Sequence, residues 1–286
     1  ESARYSAPTL SSQAGMDLQL RDRVYLVTGG SRGLGFAAAE ALVGEGARVV
    51  LSNPHEASAA AAAARLTQGA TPDDRVTWVV ADNADPDTPD RLVAAAEDRF
   101  GRLDGALVSV GGTPSGTIVT TPDDAWRTAF ESIFLGAIRL ARVLGPYLGS
   151  DRHRGAGTGS LAGAGGSVAF VLAASVRVPL AELAISNGLF PGLAGVVKML
   201  AEELGPSGTR VNGILPVRIA TERVRQLDAA SGDPDEVRAR KSEEIPLRRY
   251  GDPEEFGRVA AFLLSPAASY ITGAMIPVDG GSLRAI

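Results

Sequence analysis

Residues 27–35, reading VTGGSRGLG, are where this chain is equipped to do chemistry. An apolar run leads into a loop with glycines at 29, 33 and 35, and the loop opens onto a helix-forming run that begins Phe36-Ala37-Ala38-Ala39-Glu40. Glycine lets the backbone turn sharply and approach a ligand closely. The first turn of a helix presents unpaired N–H groups and the positive end of its dipole, so the junction suits a diphosphate. Glycine loops also occur as plain turns. Here the preceding strand, the following helix and a second apolar run, Ala47-Arg48-Val49-Val50-Leu51, supply the βαβ context that a dinucleotide site needs.

Other chemistries are poorly provided for. The chain has no cysteine, hence no disulfide framework and no thiol nucleophile, and its two histidines, His55 and His153, stand too far apart to suggest a metal site or a triad. No metal is expected. A net charge of −5 gives no general attraction to nucleic acid or an anionic membrane, and 45% hydrophobic with 21% charged residues is a globular composition. With 286 residues, one large domain is favoured over two small ones. No charge-free apolar run of about 18 residues and no signal-peptide pattern is evident, so a cytoplasmic protein without a membrane partner is expected. Residues 1–15, polar and aperiodic ahead of Met16, read as a disordered leader or tag remnant, leaving 16–286 as the domain.

The elements that must position the glycine loop follow an alternating rhythm. Strand-like runs at 24–28, 47–51, 76–80 and 103–108 alternate with alanine-rich helical runs at 36–45, 56–66 and 89–100, which predicts a parallel sheet. A long helix is expected over 123–147, then a glycine-rich surface loop over 149–166 containing Arg152-His153-Arg154. Strands at 167–172, 210–215 and 275–278 and helices at 183–204 and 253–264 complete the pattern. The charged segment 217–250 reads as a helical lid, where Ile219, Thr221, Arg225, Leu227 and Arg248-Arg249 would give a pocket partly apolar and partly basic.

From Leu20 to Gly281 the chain resembles the short-chain dehydrogenase/reductase superfamily, most nearly its 3-oxoacyl-carrier-protein reductases. The resemblance rests on Thr28-Gly29 with Gly33 and Gly35, Ala81-Asp82, Trp126 with Gly136, Leu200-Ala201-Glu202-Glu203-Leu204, Arg210-Val211-Asn212, and GDPEEFGRVAAFLLSPAASYITGAMIPVDGG at the end. It implies an α/β fold: a single doubly wound Rossmann domain of about seven parallel strands. It also implies NAD(P)(H) bound across the strand ends, a small-molecule substrate, and a homotetramer or homodimer. Cofactor contact would then fall to Gly29, Ser31, Arg32, Gly33, Leu34 and Gly35 in the loop, Asn53 after the second strand, Asp82 and Asn83 after the third, Ser109 and Gly111 after the fourth, and Pro216 and Ile219 after the sixth. Members that select NAD carry an acid after the second strand. This chain has Leu51-Ser52-Asn53 there, with Arg32 in the loop, which favours NADP(H) over NAD(H).

The resemblance fails at the catalytic residues. The family's tyrosine, lysine, serine and asparagine fall by spacing on Ser186, Phe190, Ala173 and Ile133. No realignment repairs this, because the only lysines, Lys198 and Lys241, lack a tyrosine four residues earlier. A serine hydroxyl is a far weaker acid than a phenol of pKa about 10, and phenylalanine cannot lower a neighbour's pKa. What remains nearby is Ser175, Arg177, Ser186 and Asn187, two hydroxyls, a guanidinium and an amide that together could bind an oxyanion or carboxylate. Their plainer readings are a helix N-cap for Ser186, a turn residue for Asn187 and a surface charge for Arg177. Three functions stay open: a reductase with a rebuilt proton donor acting on an activated carbonyl, imine or enone; a non-redox isomerase, dehydratase or cyclase; and a non-catalytic cofactor sensor or partner subunit.

Overall fold

The computed structural model describes residues 17–68, 73–150 and 165–285. The expected leader at 1–15 and the cluster Arg152-His153-Arg154 lie outside the described residues. Seven strands, β1 (Val24–Val27), β2 (Arg48–Asn53), β3 (Val76–Val80), β4 (Gly105–Ser109), β5 (Ser167–Val171), β6 (Arg210–Pro216) and β7 (Met275–Val278), form one sheet ordered β3-β2-β1-β4-β5-β6-β7. Every pairing is parallel. The strand order reverses between β1 and β4, and at such a point the loops leaving the two strands diverge to opposite faces and open a crevice at their carboxyl ends.

Helices cover both faces, so the central strands are apolar throughout rather than alternating, as in Val24-Tyr25-Leu26-Val27, all buried. On one face α1 (Gly33–Gly44), α2 (Glu56–Leu66) and α9 (Pro253–Leu264) bury Ala38, Leu42, Leu66, Phe256 and Leu263. On the other, α3 (Thr88–Phe100), α5 (Gly136–Leu148) and α6 (Ala184–Leu204) bury Leu92, Leu140, Leu144, Leu193 and Val197. The alanine face of α1 brings α9 close enough that a Cβ on Gly257 would collide with the Ala37 carbonyl oxygen. At the start of α9, Asp252 and Glu255 form a reciprocal capping box, and the fork of Arg249 onto Glu255, 2.7 Å to each oxygen, holds that carboxyl down to about 2.

One expectation changes in the structure. The single helix expected over 123–147 is α4 (Asp123–Ala129), a π-helical segment Phe130–Leu135, and α5. The wider turn begins one residue after Ala129, and α5 then starts on Gly136, where a Cβ would lie 2.5 Å from the Asn83 carbonyl. The stretch Ala184–Ser207, which holds α6, is long and apolar enough by composition to cross a membrane although Lys198 interrupts it, and half of its apolar window is buried, with Leu189, Phe190, Leu193 and Val197 in the core. The segment 217–250 holds two helices, α7 (Glu222–Ala229) and α8 (Pro234–Glu244). They are tied to the strand end by Asp228, which is buried and accepts from Arg218 Nη1 at 2.6 Å and from the Tyr250 hydroxyl at 3.1 Å. Burial pushes the Tyr250 phenol above its ordinary value, with the Arg218 charge opposing the shift.

Gly257→Ala is expected to destabilise the protein by about 2 kcal/mol, because added volume at a backbone-to-backbone contact forces α9 off α1. Urea unfolding of the two proteins measures it.

Candidate functional site

The crevice is built from the ends of β1 and β4. Thr28 joins them: its hydroxyl donates to the Ser109 carbonyl and accepts from the Ser109 amide, both at 2.9 Å. The loop then reverses through Gly29 and Gly33, both left-handed at φ +59° and +56°, a conformation costly for any residue with a Cβ. A Cβ on Gly35 would lie 2.5 Å from the Gly29 carbonyl oxygen, so the first turn of α1 rests directly on the loop. Arg32, in extended conformation at the N-cap of α1, is exposed, while Ser31 and Gly35 are buried and Leu34 is half-buried. Side chains would fill this cradle. Its glycines and the free amides of α1 fit the diphosphate of a nicotinamide dinucleotide.

The other expected cofactor residues line the same edge. Asn53 Nδ2 donates to Ser31 Oγ at 2.7 Å and its Oδ1 accepts from the His55 amide at 2.9 Å, so an amide, not an acid, ties the end of β2 to the glycine loop. Asp82 spends Oδ1 on the Ala84 amide at 2.9 Å, holding the turn after β3, and the carbonyl of Asn83 faces Gly136. Ser109 ends β4, and Gly111 follows at φ +82°. Pro216 ends β6. Ile219 is buried, and a Cβ on Gly251 would lie 2.7 Å from its Cδ1, so this side chain packs against the Gly251 backbone.

The four polar residues expected to form a catalytic set do not converge. Ser175 sits in the short 3₁₀ turn Ala174–Val176 after β5, and Ser186 is the third residue of α6. Both are buried, their hydroxyl oxygens 2.9 Å apart, and Ser175 Oγ also lies 3.1 Å from the Ser186 carbonyl. Ser186 is therefore no N-cap; Leu183 holds that position. Asn187 instead accepts from the Leu180 amide at 2.9 Å and donates to the Leu180 carbonyl at 2.7 Å, pinning the preceding loop to α6. Arg177 is exposed and reaches the Met275 carbonyl at 3.4 Å. The hydroxyl that meets residue 186 thus comes from Ser175, two residues beyond Ala173, the position that spacing indicated. Ile133, on the π-helical segment, and Phe190, one turn along α6, are both buried in one apolar cluster.

Two residues of α7 and its cap, Thr221 and Arg223, also reach the crevice. A Cβ on Gly33 would lie 3.7 Å from Thr221 Cγ2, and one on Gly112 would lie 3.0 Å from Arg223 Nε. The sequence placed Thr221 in the lid but gave no sign of Arg223, since its contact spans 110 positions of chain.

A doubly wound sheet with a glycine cradle at its switch point defines a dinucleotide-binding protein. Comparison with known proteins narrows that class. The family model described as Enoyl-(Acyl carrier protein) reductase matches residues 29–282. An uncharacterised oxidoreductase of Mycobacterium tuberculosis (strain CDC 1551 / Oshkosh) is 33% identical over 265 residues, 92% of this chain and 93% of its own. Levodione reductase of Leifsonia aquatica is 31% identical over 272 residues, 92% and 95% of the two chains. The structure of L-sorbose reductase from Gluconobacter frateurii, solved with NADPH and L-sorbose, superimposes with a TM-score of 0.84 at 29% identity, covering 95% of this chain and all of that one. The chain belongs to the short-chain dehydrogenase/reductase superfamily, a family of nicotinamide-dependent oxidoreductases.

Gly35→Ala is expected to weaken nicotinamide dinucleotide binding by at least tenfold, since its Cβ must displace the Gly29 carbonyl from the cradle floor. Calorimetric titration of both proteins with NADPH and NADH measures the loss.

Proposed function

We propose that this protein is a divergent oxidoreductase that prefers NADP(H) and acts on a small activated carbonyl, imine or enone. Its proton donor would be the Ser175–Ser186 hydroxyl pair, through a water held there, in place of a tyrosine. When bound, the nicotinamide supplies a hydride. The chain's own residues must then bind the electrophile and steady the negative charge that develops on it.

The observation that carries this reading is the buried hydroxyl pair at the family's tyrosine position, 2.9 Å between oxygens. The Ser175 proton has two acceptors in reach, the Ser186 carbonyl at 3.1 Å and the Ser186 Oγ at 2.9 Å, and when it takes Oγ the Ser186 proton is free to turn to a ligand or a water. Such a pair orients but acidifies little, because position 190, where the family resemblance expects a lysine, is a buried phenylalanine. A well-placed general acid contributes roughly 10²–10⁴ in rate, so the substrate must be one that reacts without most of that help.

NADP(H) is preferred on charge grounds. Arg32 is exposed at the cradle and the end of β2 presents the Asn53 amide, so a 2′-phosphate would meet a guanidinium and no carboxylate. The segment 217–250 acts as the lid, and the assembly is a homotetramer or homodimer. A second reading, a non-redox enzyme or a silent cofactor-binding subunit, draws on Ile133 and Phe190: both catalytic positions are taken into the apolar core.

Two experiments separate these. Arg32→Ala should weaken NADPH about tenfold and leave NADH unchanged in calorimetric titration; equal losses would remove the proposed preference. Across a panel of activated ketones, imines and enones, the wild type should oxidise NADPH. Ser186→Ala should lower kcat by about 10²-fold at unchanged cofactor affinity. Turnover of a substrate with no NADPH oxidation would favour the second reading.

A further inference from the structure

The structure points to a second cation in the cofactor site: we propose that Arg223 is a clamp for the cofactor diphosphate, carried across the switch-point crevice on the lid. The proposal rests on the family's cofactor binding and goes beyond the glycine cradle.

The opening lies between the loop leaving β1 and the loop leaving β4, and the start of the lid touches both. Thr221, the N-cap of α7, accepts from the Val224 amide at 3.3 Å and lies against Gly33 on the β1 side. Two residues on, Arg223 reaches the β4 side, where its Nη2 donates to the Thr113 carbonyl at 2.5 Å. Its Nε passes so close to Gly112 that a Cβ there would sit 3.0 Å away and press on the guanidinium. Residues 221–223 therefore bridge the two lips of the crevice.

The charge balance indicates an anion. Among the described residues Arg223 has no carboxylate partner, whereas Arg225 on the same helix pairs with Glu222 at 3.4 Å and Arg218 with buried Asp228. Arg223 also lies in the first turn of α7, where the helix dipole disfavours a cation. A permanently charged fork of donors, held to one neutral carbonyl at the mouth of a cradle shaped for phosphates, matches two adjacent phosphate groups better than it matches its present partner. Because Arg223 is exposed and has no ion pair to break, it can turn from Thr113 to the diphosphate at little cost. Arg32, at the other end of the cradle by Asn53, would serve the 2′-phosphate, so the two arginines read different parts of one ligand.

The test is calorimetric titration of wild type, Arg223→Met and Arg223→Lys with NADPH, NADH and ADP-ribose, which carries the diphosphate without the nicotinamide. Arg223→Met should weaken all three by a similar factor of about ten, with Arg223→Lys between it and wild type, and thermal midpoints should match. Unchanged affinity for ADP-ribose overturns the proposal, and so does a raised substrate KM without a cofactor effect, which would place Arg223 on the substrate instead. A loss confined to NADPH also overturns it by assigning Arg223 to the 2′-phosphate. Should wild type bind none of the three, the cofactor reading itself falls, a result distinct from wild-type binding that the substitution leaves intact.

Discussion

The first turn of α1 lies on the carbonyl of Gly29, with only hydrogen on the Gly35 α-carbon to separate them. That contact sets the height of α1 above the sheet and so the position of its free amides. It also forces the loop through left-handed turns that glycine alone makes without strain. Thr28 then couples this geometry to β4 through two hydrogen bonds, so both lips of the crevice are held to one residue. Behind the loop, the small side chains of α1 admit α9 to backbone contact at Gly257, which fixes the helix from the other side.

Beside the cradle, Ile133 and Phe190 are buried apolar side chains. Both add to the core that packs α5 and α6 on the sheet. Burying apolar groups there stabilises the fold, whereas an unpaired buried ammonium would cost several kcal/mol. The helix that carries Ile133 widens into a π segment, and Ser175 and Ser186 meet through their buried hydroxyls.

The segment 217–250 packs beside the crevice. Asp228 gathers Arg218 and Tyr250 at its base, with Arg238 5.1 Å over the Tyr250 ring, so α7, α8 and the strand end share one polar knot. From that base the chain near Thr221 and Arg223 extends back across the crevice.

Much of this was legible in the sequence because it rests on local pattern. The alternation of apolar runs placed all seven strands within a few residues. The spacing of glycines marked the cradle, and the absence of any tyrosine four residues before a lysine holds whatever the fold. These inferences need only neighbours along the chain. Convergence in space could not be read that way. Arg177 and Asn187 stand beside Ser175 and Ser186 in sequence, yet they spend their side chains on Met275 and Leu180, because the turn after β5 and the first turn of α6 aim them outward. Ser175 meets Ser186, although spacing pointed to Ala173, because the 3₁₀ turn advances the chain by two residues. Arg223 lies on Gly112 only because the sheet brings the ends of β4 and β6 to one edge, a proximity that no spacing of residues along the chain encodes.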